Sequence, residues 1–506
     1  MGYFTRLAAL LCEPGLPASA WRPALATGLA LAAAGIGGLV VVLLAAALWW
    51  PLGLLVAAGA GAAAAWRPPA QSLGLLLALV AYPMITAAAL LEVLPTGQVF
   101  NFPPMIAPAY LGGLVVAAIA RGPGAWRERY FALPRPWRII GAVLVAGIAG
   151  YAAVGLLRTE LVAVGYYARM MVFPLALLVF VAVARQTAPR SHDARYLAAV
   201  LVGVLAPVVA IYLAEGLLAE TWYRLFNVVE FETVKSGGEV VMADIMRAVR
   251  RDFLNLSGDI PYTEYLVSVR LFGPDLHYVS SAYLLLALLM PLLLLRAWVA
   301  AFGVLALLAL TGIKGPLIIT TIVLLAAAAI QWRPGAFAPT VAGTIAVLGT
   351  GMIGFGLMRC DPHVIGLMGG VMGWLDAPWG QGFGIGGNHS VEWSMADYEW
   401  PWPPGTGCHW YRHPFESAFG ALLYQTGPLA LLALVAVLHT LRRLRPGRAA
   451  AGLLAERHAG AIVVATGFGL VLTGLLQEEA LSPSALTVPV ILLTLAATEP
   501  PNGCPR

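Results

Sequence analysis

The sequence predicts an all-α, polytopic integral membrane protein with about 14 transmembrane helices, and three observations lead there. Of the 506 residues, 60% are hydrophobic and only 11% are charged, whereas a soluble globular chain carries about 25% charged residues. Mean hydropathy is +0.83. Apolar runs recur along the whole chain, and a span needs about 20 such residues. So few charges cannot build a water-facing surface, which excludes a cytosolic enzyme, a nucleic-acid binder and a disordered chain. The partner implied is the lipid bilayer, not nucleic acid. The net charge of +5 then bears on orientation in the membrane.

The expected spans lie at about 24–48, 51–65, 73–93, 105–120, 139–157, 168–184, 197–218 and 277–295, then 297–312, 316–330, 340–357, 415–440, 459–476 and 486–498. Helices are the default because lipid offers no partner to unpaired backbone groups. Pro83, Pro174, Pro207 and Pro291 fall inside spans and are expected to kink them. The first apolar run is too long for a signal-peptide core, so it reads as a permanent span. The whole chain reads as one membrane domain with two long outer loops, 219–276 and 358–413.

Loop charge orients the spans. Placing the N-terminus inside puts the arginines of 121–138, 185–196 and 441–458 on the cytoplasmic side. The short outer loops then hold only Arg158, Arg169 and Lys314. This is the expected positive-inside asymmetry, and the C-terminus falls inside too.

The span centres lack Asp, Glu, Lys and Arg almost entirely. That argues against an ion-coupled transporter, which places such groups near the midplane. Ionisable residues gather instead at the outer helix ends: Glu92, Arg158, Glu160, Arg169, Glu215, Arg224, Lys314, Arg412, His413, Glu416, Glu478 and Glu479. They either snorkel to the interface or form an outer-leaflet site. Arginine and lysine at that depth suit phosphate. Arg224 leaves the seventh span behind Trp222 and Tyr223, and Lys314 lies in a tight hairpin beside Gly312, Gly315 and Pro316.

The first loop is expected to hold a helix over 239–256. Met242, Ile245, Val249, Phe253 and Leu256 share one face, and Arg247, Arg250 and Arg251 another. That helix would be either interfacial, with its arginines on lipid phosphates, or a solvated basic element. The second loop carries Trp374, Trp379, Trp393, Trp400, Trp402 and Trp410 together with His389, His409 and His413. The tryptophans are either sugar-stacking platforms or an interfacial belt. The histidine spacing fits no zinc pattern, so neither metal nor cofactor is expected.

Three local patterns then occur in order: T-G-I-K-G at 311–315, W-G-Q-G-F-G-I-G-G-N at 379–388, and E-S-A-F-G-A-L-L-Y-Q-T-G at 416–427. Over about 277–440 the chain resembles the O-antigen polymerase and O-antigen ligase superfamily. That family carries a T-G-S-R-G-like turn, a G-x-G-x-G-like stretch and a helix opening near H-N or E-S, with glycine about eleven residues on. Lys314 stands where the family usually has arginine, and Glu416 where ligases usually have histidine. These departures, and a span count above the ligases' dozen, favour a polymerase.

The resemblance implies a C-type glycosyltransferase fold in the bacterial inner membrane. The donor would be an undecaprenyl-diphosphate-linked glycan, and polysaccharide export or chain-length proteins would be partners. Lys314, Arg224 and Arg412 would neutralise the leaving diphosphate. Glu416, His413 or His409 would orient the incoming hydroxyl, and Trp379, Trp400, Trp402 and Trp410 would hold glycan. A ligase acting on lipid A core or protein is the same chemistry with another acceptor. A flippase of lipid-linked sugars is the reading from another class.

Of the four cysteines, Cys12 and Cys504 fall in cytoplasmic tails, where thiols stay reduced. Cys360 and Cys408 fall near the two ends of one outer loop. A Cys360–Cys408 disulfide is therefore expected.

Overall fold

The computed structural model of the protein describes residues 18–95, 102–187, 194–236, 238–252, 267–388, 398–399, 410–411, 415–447, 454 and 456–497. Its helices begin with α1 (Ala18–Leu48), α2 (Trp50–Ala64), α3 (Pro69–Ala81), α4 (Pro83–Ala89), α5 (Pro103–Arg121), α6 (Pro123–Ala132) and α7 (Arg135–Leu156). Next come α8 (Leu161–Thr187), α9 (Ala194–Leu225), α10 (Val228–Ser236), α11 (Met242–Val249), α12 (Tyr278–Leu294), α13 (Trp298–Thr311) and α14 (Lys314–Trp332). The last are α15 (Phe337–Arg359), α16 (Pro362–Asp376), α17 (Ala418–Thr426), α18 (Pro428–Arg443), α19 (Arg457–Gly474) and α20 (Pro483–Ala497).

The protein is an all-helical, multi-pass membrane protein. Among the described residues, eight helices are long and apolar enough to cross a bilayer, or nine if α3 and α4 form one bent span. The shorter apolar helices α2, α12, α13 and α20 fall below that length. Among the described residues there are also two short antiparallel strand pairs: β1 (Arg250–Asp252) with β2 (Val267–Val269), and β3 (Tyr398–Glu399) with β4 (Trp410–Tyr411).

Proline decides where many helices start. Seven of them, α3, α4, α5, α6, α16, α18 and α20, open on proline. Its missing N–H is no loss in the first turn, and its fixed φ suits the helix. Pro83 therefore does more than kink a span: it opens a new helix, and α3 and α4 meet at 54°. Pro174, Pro207 and Pro291 remain inside helices. The irregularity in α9 lies at Leu218, with φ −128° and ψ 33°, eleven residues beyond Pro207.

The chain divides into two compact units. In the first (1–121, 176–317 and 487–495), helices cross with backbones nearly touching. A Cβ on Gly203 of α9 would stand 2.5 Å from the Leu25 carbonyl of α1. Gly61 of α2 and Gly113 of α5 likewise lie against each other's helix backbone. Small residues permit such contacts where no hydrophobic effect drives helices together. Tyr82 donates to the Val204 carbonyl at 2.6 Å. The carboxylate of Glu215 accepts from the Tyr223 hydroxyl (2.7 Å) and from the backbone N–H groups of Phe272 (2.7 Å) and Gly273 (2.8 Å). These bonds staple the segment before α12 to the end of α9.

One loop expectation needs correction. The expected helix over 239–256 ends at Val249, because Arg250–Asp252 pairs as a strand with Val267–Val269. Ile245 and Val249 are buried as expected. Arg247 instead pairs with Asp244 at 3.3 Å, while Phe253 and Leu256 lie outside the described residues. The stretch 358–413 contains the 15-residue helix α16.

Candidate functional site

In the second unit (122–175, 318–486 and 496–506), the Gly-rich stretch forms a strip between two helix ends. On one side, Phe383 N–H donates to the Tyr151 carbonyl of α7 at 3.1 Å. Arg158 reaches the Gln381 side chain at 2.8 Å. On the other side, Gln381 and Gly382 N–H donate to the Tyr424 (3.1 Å) and Gln425 (2.9 Å) carbonyls of α17. Gly380, Gly382, Gly384 and Gly386 all have positive φ, from +80° to +100°. This alternation presents bare backbone to the neighbours: a Cβ on Gly382 would stand 2.7 Å from the Gly155 nitrogen.

The strip then meets the E-S segment. Phe415 N–H donates to the Gly386 carbonyl at 2.9 Å, and Gly387 and Phe415 form a parallel bridge. Two of the three motifs in the sequence are therefore bonded to each other. Ser417 caps α17 by accepting from Gly420 N–H at 2.9 Å, and its hydroxyl donates to the Leu475 carbonyl at 2.6 Å. That bond ties the start of α17 to the segment just beyond α19.

Two acids and a histidine converge here. Asp361 caps α16, accepting from His363 N–H at 3.0 Å. The first turn of α16 thereby sets His363 Nδ1 3.6 Å from Glu416 Oε2 and 3.3 Å from the Glu416 carbonyl. Close approach is possible because Gly366 faces the Glu416 backbone and Gly370 faces Gly420. The side chains of His363 and Glu416 remain 28% and 30% exposed, so a ligand can reach them.

Glu478 is 2% exposed and sits in the short 3-10 turn Glu478–Leu481 between α19 and α20. Tyr167 of α8 donates to its Oε1 at 2.8 Å. Burial pushes the Glu478 carboxyl up to about 8. Tyr167 pulls it back, as does the Asn388 backbone at the end of the Gly-rich strip, while Glu479 and Glu416 push it further up. A cation lies nearby on α8: the Arg169 guanidinium is 4.4 Å from the Tyr166 ring centroid, and Tyr166 packs edge-on against Tyr167.

The arrangement joins an accessible carboxylate beside an imidazole to a buried carboxyl that stays mostly protonated at neutral pH. Carboxyl groups held in such different surroundings can divide acid and base roles.

Among the residues expected at the site, Glu416 is at its centre. His409, His413, Arg412, Trp400, Trp402 and Cys408 lie outside the described residues. Trp379 is 78% exposed, with its carbonyl held by Tyr151 at 2.7 Å. Trp410 pairs with Glu399 in the β3–β4 ladder. Lys314 and Arg224 belong to the other unit. Lys314 opens α14, and Arg224 makes an exposed pair with Glu220 at 2.5 Å. His363 and Tyr167 received no role from the sequence, and Glu478 only a place among the ionisable residues at the outer helix ends. The D-P-H capping sequence at 361–363 is the local signal that marks His363 as fixed in a first turn.

Cys360 ends α15 in a left-handed conformation, φ 55°, and is disulfide-bonded. With Cys408 as partner, unreduced denatured protein should label at two cysteines and reduced protein at four. Cys408→Ser should expose Cys360 to labelling without reductant. If Cys360 stays blocked in that variant, the pairing is wrong. Closing a loop of about 50 residues is worth roughly 4 kcal/mol in the chain-entropy model.

No family model, curated protein or solved structure matches the chain.

Proposed function

We propose that the protein is a glycosyltransferase that polymerises oligosaccharide repeats carried on undecaprenyl diphosphate at the outer face of the bacterial inner membrane. The observation that carries the reading is the junction of the Gly-rich strip with the E-S segment. It sets the half-exposed Glu416 carboxylate beside His363 and within electrostatic reach of the buried Glu478. In an otherwise apolar chain this is chemistry suited to a hydroxyl nucleophile: Glu416 accepts a hydrogen bond from the incoming sugar hydroxyl and takes its proton as the glycosidic bond to diphosphate breaks. From their sequence positions alone, we assign Lys314, Arg224 and Arg412 to neutralising the departing diphosphate. Lys314 opens a helix, where a cation opposes the macrodipole, so helix stability does not explain it.

In this reading the chain crosses the membrane fourteen times, with both termini cytoplasmic. The four shorter apolar helices and the α17–α18 pair, broken at Gly427, then cross as well. Glu416→Gln should lower polymer formation by about 10²–10⁴-fold at normal protein level. Lys314→Ala should fall by about 10²–10³-fold, while Lys314→Arg keeps substantial activity. Wild-type polymer from either Glu416→Gln or Lys314→Ala rejects the assignment.

A ligase is the second reading. A specific observation favours it: a histidine, His363, lies beside the position where ligases carry one. Deletion separates the two, since loss of a polymerase leaves single repeats and loss of a ligase leaves long polymer on the carrier lipid.

A further inference from the structure

The start of α7 and the end of α18 form a second polar feature, which the proposed chemistry does not use. Gly147 lies against Leu429 and Trp137 against His439. Each pair is ten residues further along in opposite senses, so the two helices run antiparallel. That register brings Arg135 and Arg138 on α7 to the same end as Arg442, Arg443 and Arg445 at and just beyond the end of α18. Among the described residues no carboxylate pairs with any of the five.

The charges are crowded at a cost. Like charges repel, and Arg135 and Arg138 stand in the first turns of α7, where cations oppose the macrodipole. An aromatic ring lies beside one of them, Arg138. Arg127 and Arg138 lie 5.9 Å and 5.5 Å from the Phe131 ring centroid, and Trp126 stacks on Tyr130. Phe131 and Leu133 are themselves exposed, at 56% and 46%. Since α7 is long and apolar enough to span, this end of it lies at a membrane surface. Exposed rings there enter the headgroup region, which leaves the guanidiniums at phosphate depth.

We propose that this end of α7 and α18 is a binding site for the phosphodiester headgroups of anionic phospholipids. Basic pockets between spanning helices take such headgroups, with each cation strengthening the attraction. Guanidinium forks bind two phosphate oxygens at once, and a lipid's tails would lie along the apolar flanks of α7. The inference is independent of the glycosyltransferase reading, because it involves neither Glu416 nor Lys314.

The test uses the full-length protein in non-ionic detergent. Lipid binding is read by native mass spectrometry with phosphatidylglycerol, phosphatidylcholine and inorganic phosphate as separate probes. Wild type should bind phosphatidylglycerol in preference to phosphatidylcholine, and inorganic phosphate should not displace it. R443Q should weaken phosphatidylglycerol binding about 5-fold and the triple variant R135Q/R442Q/R443Q about 100-fold. These arginines also orient the chain during insertion. R135K/R442K/R443K keeps the charge and serves if the triple glutamine variant does not accumulate, with binding expected between those of wild type and R443Q. Equal binding of the two lipids, unchanged affinity in R443Q, or full displacement by inorganic phosphate would each overturn the proposal.

Discussion

Raising the pH from 5 to 8 should cost wild-type protein far more stability than Glu478→Gln protein. In the folded chain Glu478 holds its proton up to about pH 8, and an unfolded glutamate releases it near pH 4.3. Across that interval the folded state binds more protons, so stability is full below the lower value and falls as pH rises through the upper one. The loss is on the order of several kcal/mol. Glutamine copies the protonated acid: its carbonyl can accept from Tyr167, and it has no charge to bury. Melting temperatures in detergent should nearly coincide at pH 5, diverge in favour of the variant up to about pH 8, and stay parallel above it. Parallel curves throughout would show that Glu478 ionises normally.

Gly382→Ala should be strongly damaging for a single added methyl. Gly382 has φ +100°, and the added carbon would stand 2.7 Å from the Gly155 nitrogen and 3.0 Å from its Cα. Strain at such a backbone costs about 1–3 kcal/mol, and overpacking against a helix adds about 1–3 kcal/mol. Gly351→Ala is the control. It lies inside α15 with no atom within 4 Å of the new carbon, and alanine is the better helix former by about 1 kcal/mol. The expected result is a large fall in melting temperature for Gly382→Ala and none for Gly351→Ala. Equal stability of the two variants would mean that the strip is not clamped between α7 and α17.

The helices were legible in the sequence because lipid-facing apolar runs announce themselves without partners, and proline marks where many begin. The helix α16 was not. Gly366, Gly369, Gly370 and Gly373 weaken its helical signal, yet Gly366 and Gly370 let it lie against Glu416 and Gly420. The overlong helix at 239–256 failed for the opposite reason. Its periodicity continued past Val249, but strand pairing with Val267–Val269 takes over there. At the site, Glu416 was legible through its place in an ordered motif. His363 was not, and Glu478 stood only in the wider set of outer-end ionisable residues, because they lie 53 residues before and 62 after Glu416 in the sequence.

The prolines that open seven helices have a mechanical consequence. A helix can lengthen at its start only if the residue before proline enters the α region, which the proline ring disfavours. Those starts resist extension. Placed in a thicker bilayer, the spanning helices among them resist growing at that end to cover the added hydrocarbon. The mismatch must be met by changing tilt or by local thinning of the lipid, each at fractions of a kcal/mol per Å. The protein should therefore respond to membrane thickness by reorienting helices of constant length, and reconstitution in lipids of graded chain length would show this as a change in tilt at unchanged helix content.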